Sequence, residues 1–183
     1  VCCLRGVLAR FRLGGRLGTD RPPRNEFLNI QGEKKGEAVL TGLAIGVGGW
    51  IFTIVAALAI AAILSVSGLI HDPKPSPVIG FMAMMPAWKK AILVLSAMTV
   101  EEAFFRAWLQ KRIGLIASTT LFALAHFTLG QPLLLIGVAL ISLVIGFTFY
   151  RTKNVLPGVI AHGVFDAGQL FVIIPIAFQV AGG

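Results

Sequence analysis

Two glutamates and an arginine, Glu101, Glu102 and Arg106, stand within six residues of each other in an otherwise apolar run that begins near Ala91. Charged groups at membrane depth are costly and mark functional sites. In a helix, Glu102 and Arg106 are four residues apart and can form an ion pair on one face. Glu101 then points about 100° away from that pair. The spacing therefore predicts one carboxylate held by a salt bridge and a second one left free.

The remaining acids and histidines of this half of the chain show the same pattern, because each lies inside an apolar segment rather than in a loop. A carboxylate at the centre of a span costs roughly 2.5–3.5 kcal/mol, so such groups are tolerated where they face one another or a wet cavity. We therefore expect one shared polar site, assembled from three spans. Its candidate residues are Glu101, Glu102, His126, His162 and Asp166.

Spacing also predicts local pairs within this site. His162 and Asp166 are four apart, so Asp166 can orient the imidazole or offer a second ligand. Phe122 and His126 are four apart as well, which gives His126 an apolar wall. Such a set of groups can activate a water and stabilise an oxyanion. The same groups suit a His₂–carboxylate metal site, and the residues alone do not separate these two chemistries.

The composition is that of a membrane protein. The 183 residues are 56% hydrophobic and 13% charged, with a mean hydropathy of +0.86, whereas soluble domains are about 25% charged. We predict an all-α polytopic transmembrane helical bundle of about five to six spans. The segment 71–86, which holds four prolines, is expected to be a loop. The spans are expected near 46–69, 87–110, 113–129, 132–150, and from Val155 onward, continuing or breaking around Pro175.

Charge divides the chain into a basic arm at 1–37 and a transmembrane domain at 38–183. Eight of the sixteen Lys and Arg residues lie in the first 35 residues. A basic arm beside an apolar span is typical of the cytoplasmic side and of lipid headgroup contact, not of nucleic-acid binding. We expect an integral protein of the plasma (inner) membrane with a cytoplasmic arm. Gly42 and Gly46 form a small-residue step that allows another helix to approach.

Three ordered motifs carry a family resemblance: Glu101-Glu102-xxx-Arg106, Phe122-xxx-His126 and His162-xxx-Asp166. Over about residues 90–180 the chain resembles the CAAX-protease and bacteriocin-processing family (CPBP or Abi), which includes the type II CAAX prenyl endopeptidases. The resemblance implies an intramembrane endopeptidase that acts on a membrane-associated peptide or protein, with CAAX-type prenylated proteins as one substrate class. It implies a helical membrane fold, contacts with membrane lipids and either a divalent metal such as zinc or no metal.

The resemblance also assigns roles. Glu101 and His126 would activate the attacking water, and His162 would stabilise the oxyanion with Asp166 or hold a metal, with Glu101, His126 and His162 as the possible ligands. Glu102 and Arg106 would brace the helix. Eukaryotic members usually have Asn at the position of Asp166, and an ionised Asp only accepts hydrogen bonds. Asp166 must therefore be protonated, orient His162 or bind a cation.

Two other functions are compatible with buried Glu and His residues. One is a proton-coupled transporter or ion pathway, although the sequence shows no sign of the inverted repeats common in transporters. The other is a non-catalytic membrane protein of bacteriocin immunity.

Overall fold

The computed structural model describes residues 35–68, 77–130 and 132–180, and all of its regular structure in these ranges is helical. This confirms the predicted all-α membrane bundle. The predicted basic arm lies outside the described residues, apart from its last three, which already belong to the first helix. The helices are α1 (Lys35–Val66), α2 (Pro77–Met84), α3 (Ala87–Ile113), α4 (Leu115–Ala125), α5 (Pro132–Thr152) and α6 (Leu156–Val180).

Among the described residues, three helices are long and apolar enough to cross a membrane: α1, α5 and α6. A fourth crossing is formed if α2 and α3, which meet at a bend of 115°, are counted as one broken span. The apolar segment Leu115–Leu129, predicted as a span, is shorter than a full crossing. The described part of the chain thus has three or four spans by length and composition, fewer than the five to six predicted.

The prediction that 71–86 is a loop is wrong for Pro77–Met84, which forms α2. Proline is accepted in the first turn of a helix because the backbone N–H that it lacks has no partner there. The apolar run that follows Pro77 has a partner surface in the last turns of α6: Ile79 packs in one buried cluster with Leu170 and Ile174. Tertiary burial therefore stabilises a helix where the prolines indicated a loop.

Helix α6 continues through Pro175 and does not break there. Proline removes a backbone hydrogen bond and crowds the carbonyl four residues earlier. The residues just before it, Gln169–Ile173, are π-helical. Wider π-helical turns relieve that crowding without ending the helix.

Helix α1 packs closely along α6, and the glycine step predicted from the sequence lies at this contact. A Cβ on Gly42 would come within 2.7 Å of the Ile160 Cβ, and one on Gly46 within 2.8 Å of the Val164 Cβ. A buried cluster of Ile141, Ile145, Ala161 and Phe165 then joins α5 to α6, with Ile45 and Trp50 of α1 packed against it. These contacts fix the helix that carries the His162 motif.

The charged ends of α3 and α5 lie together in the structure. The Lys111 Nζ lies 5.9 Å from the centre of the Phe149 ring, and Lys111 and Lys153 line one surface pocket. The chain leaves these helices through left-handed residues, Gly114 with φ 85° and Lys153 with φ 54°. The site described next lies about twelve residues, or about 18 Å, before this end of α3.

Candidate active site

The Glu102–Arg106 ion pair predicted from the spacing is present and fully buried. The Arg106 Nε lies 3.3 Å from the Glu102 Oε2, and the two side chains are 1% and 0% exposed. The guanidinium also donates from Nη2 to the Ser142 Oγ at 3.2 Å and lies over the Phe122 ring. We call Glu102, Arg106 and Ser142 the bracing group, because they tie α3 to α5 through interactions that are costly to break in an apolar interior.

Glu102 also holds one of the histidines. Its Oε1 lies 3.0 Å from the Nδ1 of His162, sixty residues along the chain on α6. A carboxylate paired with an arginine accepts hydrogen bonds, so the His162 Nδ1 is the donor and its ring orientation is fixed. Gly158 makes this approach possible, since a Cβ there would lie 2.9 Å from the Glu102 Oε2.

His126 is held by its own helix end. Its Nδ1 lies 2.8 Å from the Phe122 carbonyl oxygen, which can only accept, so Nδ1 carries the hydrogen. Its ring stacks on Phe122 with centroids 4.6 Å apart, as the four-residue spacing predicted. The Nε2 of the neutral ring therefore carries a lone pair, and this nitrogen lies 3.7 Å from the Glu101 Oε2.

Glu101 lies at the centre of the histidines and differs sharply from its neighbour. Its side chain is 27% exposed, and its Oε2 lies 3.7 Å from the His126 Nε2 and 3.9 Å from the His162 Nε2. This oxygen is buried and has no hydrogen-bond partner among the described residues. A water is the small molecule that can bridge polar atoms separated by more than 3.5 Å.

Asp166 completes the set from one turn further along α6. Its Oδ2 lies 3.3 Å from the His162 Nε2, so the predicted contact between these two residues is present. The two atoms can share one proton, which places Asp166 as a partner of the His162 ring. We call Glu101, His126, His162 and Asp166 the open cluster.

The open cluster lies at the wall of an apolar cavity of about 320 Å³. Side chains from every helix contribute to its lining, including Leu58 of α1, Ile79 of α2 and Leu134 of α5. Cavities of this size and character hold small molecules or extended apolar chains. The charged groups therefore face a space that an apolar ligand can enter.

The donor types of Glu101, His126 and His162 are those of a His₂–carboxylate metal site. In the described ranges, however, no group of three or more His, Cys, Asp or Glu side chains is positioned to hold a metal ion. The arrangement does not fit a preformed metal centre, and no chemical step below is assigned to a metal.

The three motifs therefore converge from α3, α4 and α6 in one place, in the order that marks the family recognised from the sequence. Residues 83–168 match the family model described as "Type II CAAX prenyl endopeptidase Rce1-like". This match supports the resemblance recognised from the motifs for this segment of the chain. The match and the apolar helices together support an integral membrane protein.

One curated relative is "Uncharacterized protein YpbD" of Bacillus subtilis (strain 168), which is 38% identical over 76 residues. The matched region covers 41% of this chain and 40% of the relative's length, so the chain spans about two fifths of that protein. No solved structure matches the chain.

Sequence reasoning missed several residues around the site. Ser142, which supports Arg106, left a faint signal as one of three hydroxyl residues in the otherwise apolar segment 132–150; the others are Thr148 and Tyr150. The contact between Glu102 and His162 left none, because it joins two distant motifs. The π-helical turn over Glu102–Gln110 was also unforeseen; turns of this kind frequently occur at functional sites.

Proposed function

We propose that this chain carries the active site of an intramembrane endopeptidase that hydrolyses a peptide bond in a membrane-associated protein or peptide, including prenylated CAAX-type substrates. The observation that carries the proposal is the unpartnered Glu101 Oε2, which faces two imidazole nitrogens at the wall of an apolar cavity. A carboxylate oxygen and an imidazole lone pair are both acceptors, and a water is the small molecule that donates to both.

In the proposed reaction, a water bound between Glu101 and His126 loses a proton to this pair as its oxygen attacks the carbonyl carbon of the peptide. General-base assistance of this kind contributes about 10²–10⁴-fold. The one Nε2–H of protonated His162, which contacts Asp166 before the reaction, is shared with the new oxyanion, and the Asp166 carboxylate balances the positive charge of the ring. The captured proton then passes to the leaving amine as the C–N bond breaks, which leaves a carboxylic acid and a free amine.

Asp166 acts in this scheme by orienting and balancing His162 and does not donate to the oxyanion itself. This choice follows from its 3.3 Å contact with the His162 Nε2. Among the three roles open to an aspartate at this position, orientation of the imidazole is therefore the one that the contacts support.

The apolar cavity supports a substrate that enters from the membrane. An isoprenoid or an apolar peptide side chain would fill a space lined by residues such as Leu93, Leu133 and Phe165. Filling it removes apolar surface from water at about 25 cal/mol per Å². By the distribution of Lys and Arg, we place the ends of α3 and α5 and the basic arm in the cytoplasm of an inner or plasma membrane.

The test is cleavage of a fluorogenic farnesylated CAAX peptide, with its unprenylated counterpart, by the protein in lipid nanodiscs. We expect Glu101→Ala, His126→Ala and His162→Ala each to abolish cleavage while the protein still inserts. Ser96→Ala is the matched control, because that exposed hydroxyl on α3 bonds only its own helix. Full activity in all three alanine variants would refute the proposal, and uptake driven by a pH gradient without peptide products would favour a transporter.

Zinc analysis of the same preparation tests the metal-free form of the mechanism. We expect an active preparation without stoichiometric zinc and activity that survives a chelator. Near-stoichiometric zinc in the wild type that is lost in His162→Ala would instead make His162 a ligand and the reaction a metal-activated hydrolysis.

A further inference from the structure

Gln169 stands one turn beyond the open cluster on α6 and has no part in the proposed chemistry. Counted along the helix, His162, Asp166 and Gln169 are separated by four and three residues, so they fall on one face. All three line the cavity. Gln169 is therefore placed where a ligand bound at the open cluster would extend.

The oxygen of this side chain lacks a partner. The Gln169 Oε1 is buried and has no hydrogen-bond partner among the described residues. An unsatisfied buried acceptor is destabilising and rare in native proteins, and each example requires an explanation. The terminal amide turns about a soft torsion, so either its oxygen or its nitrogen can face the cavity.

The rest of the cavity wall is almost entirely apolar, so the Gln169 amide is one of few polar groups on it. Apart from the open cluster, Gln169 and Thr53 are the polar residues among those that line the cavity. The Thr53 hydroxyl already donates to the Trp50 carbonyl oxygen. A peptide in such a cavity carries backbone N–H groups that the apolar wall cannot satisfy, and each unmet group costs free energy.

We propose that Gln169 is a positioning residue that hydrogen-bonds the substrate backbone about three residues from the cleaved bond; this inference rests on the proposed peptidase function. The distance follows from helix geometry, because seven residues from His162 to Gln169 rise about 10 Å. An extended peptide covers that length in about three residues at about 3.3 Å each. Gln169 thus fixes the register of the peptide relative to Glu101.

The test compares amide and ester bonds in the peptide, since an ester lacks the N–H that would donate to Gln169. A fluorescent farnesylated CAAX peptide is made with a single ester at each position on either side of the cleaved bond. KM and kcat are measured with the wild type and Gln169→Met, which keeps the side-chain length and removes the amide. Ile173→Met, one turn further along the cavity wall, is the control.

We expect one ester, about three residues from the cut, to raise KM by about threefold to tenfold in the wild type, the usual worth of one hydrogen bond. In Gln169→Met the same ester should change KM by less than about twofold, with kcat little altered. Ile173→Met should respond like the wild type. Equal ester effects in the wild type and Gln169→Met at every position would overturn the proposal.

Dissociation constants measured in a Glu101→Gln background separate this inference from the proposed function. If the ester pattern appears in binding but the wild type cleaves nothing, the peptidase function fails and the Gln169 contact stands. If the wild type cleaves without any ester coupling, the contact fails and the function stands. A peptide that neither binds nor is cut refutes both for this substrate class.

Thermal unfolding distinguishes a substrate contact from a structural role. Removing an unsatisfied buried acceptor should leave the midpoint of Gln169→Met unchanged or raise it, even as binding weakens. A midpoint well below that of Ile173→Met would show that Gln169 supports the fold, and would count against the proposal.

Discussion

Glu101 and Glu102 are neighbours on one helix, yet they lie in opposite environments. Glu102 is 0% exposed and contacts Arg106 and His162 at 3.3 and 3.0 Å. Glu101 is 27% exposed, and its nearest histidine nitrogens are 3.7 and 3.9 Å away. Glu102 is therefore held by a close ion pair and a hydrogen-bonded histidine, whereas the Glu101 Oε2 lies more than 3.5 Å from both histidine nitrogens. The difference separates a group that holds the site in place from a group left available to a substrate and water.

The largest effects on activity and stability should appear when Glu101→Gln is compared with Glu102→Gln. The first change removes the base and should lower kcat/KM for the farnesylated peptide by about 10²–10⁴-fold, with the thermal midpoint unchanged or raised. The second leaves buried Arg106 without its counter-charge, so both the midpoint and the activity should fall. Both the thermal midpoint and kcat/KM are measured for both variants. Equal losses of stability would contradict the distinction between the two glutamates.

Arg106→Met tests the bracing group from its other partner. Removing one member of a buried ion pair leaves an uncompensated charge, here on Glu102, and typically costs about 3–5 kcal/mol. We expect a loss of that size in chemical or thermal unfolding in detergent. Arg112→Met is the control, because that exposed arginine bonds the Trp108 carbonyl of its own helix and should change stability by no more than about 0.5 kcal/mol. Similar losses in both variants would contradict a special role for Arg106.

Much of this contrast could be predicted from spacing. The four-residue intervals placed Arg106 on Glu102, Phe122 on His126 and Asp166 on His162, and each contact is present. Such pairs follow from helix periodicity alone. The cost of burying charge in apolar segments further predicted that the separate motifs would meet.

What the sequence could not supply depends on contacts between helices. The His162–Glu102 bond and the Arg106–Ser142 bond join residues 60 and 36 apart, and no local period encodes them. Helix α2 was missed because it is stabilised by packing against α6, while its prolines indicated a loop. The unpartnered oxygen of Gln169 is visible only once the cavity around it is formed.

Gly46→Ala tests whether the geometry of the open cluster depends on the packing of α6 against α1. A methyl group there would meet the Val164 Cβ at 2.8 Å and the Ala161 Cα at 3.0 Å, whereas one on Gly48 meets nothing within 4 Å. Overpacking at such a contact costs about 1–3 kcal/mol, and moving α6 shifts His162 and Asp166. We expect lower stability and lower kcat/KM in Gly46→Ala. Gly48→Ala should be neutral or more stable by up to about 1 kcal/mol, and a matching loss there would contradict the packing argument.

The smallest effect, from Ser142→Ala, is the most selective probe of the bracing group. The change removes the hydroxyl that accepts from Arg106 at 3.2 Å, while the Ser142 carbonyl oxygen at 3.4 Å stays in place. One hydrogen bond of this kind is worth about 1 kcal/mol, so unfolding should shift by that amount. Activity should fall by less than about threefold, since Glu101 keeps its surroundings. In a double-mutant cycle, Ser142→Ala made in the Arg106→Met background should cost little further stability, because the serine then has no guanidinium to bind. Additive losses would mean that Ser142 acts elsewhere, and the bracing group would then reduce to Glu102 and Arg106.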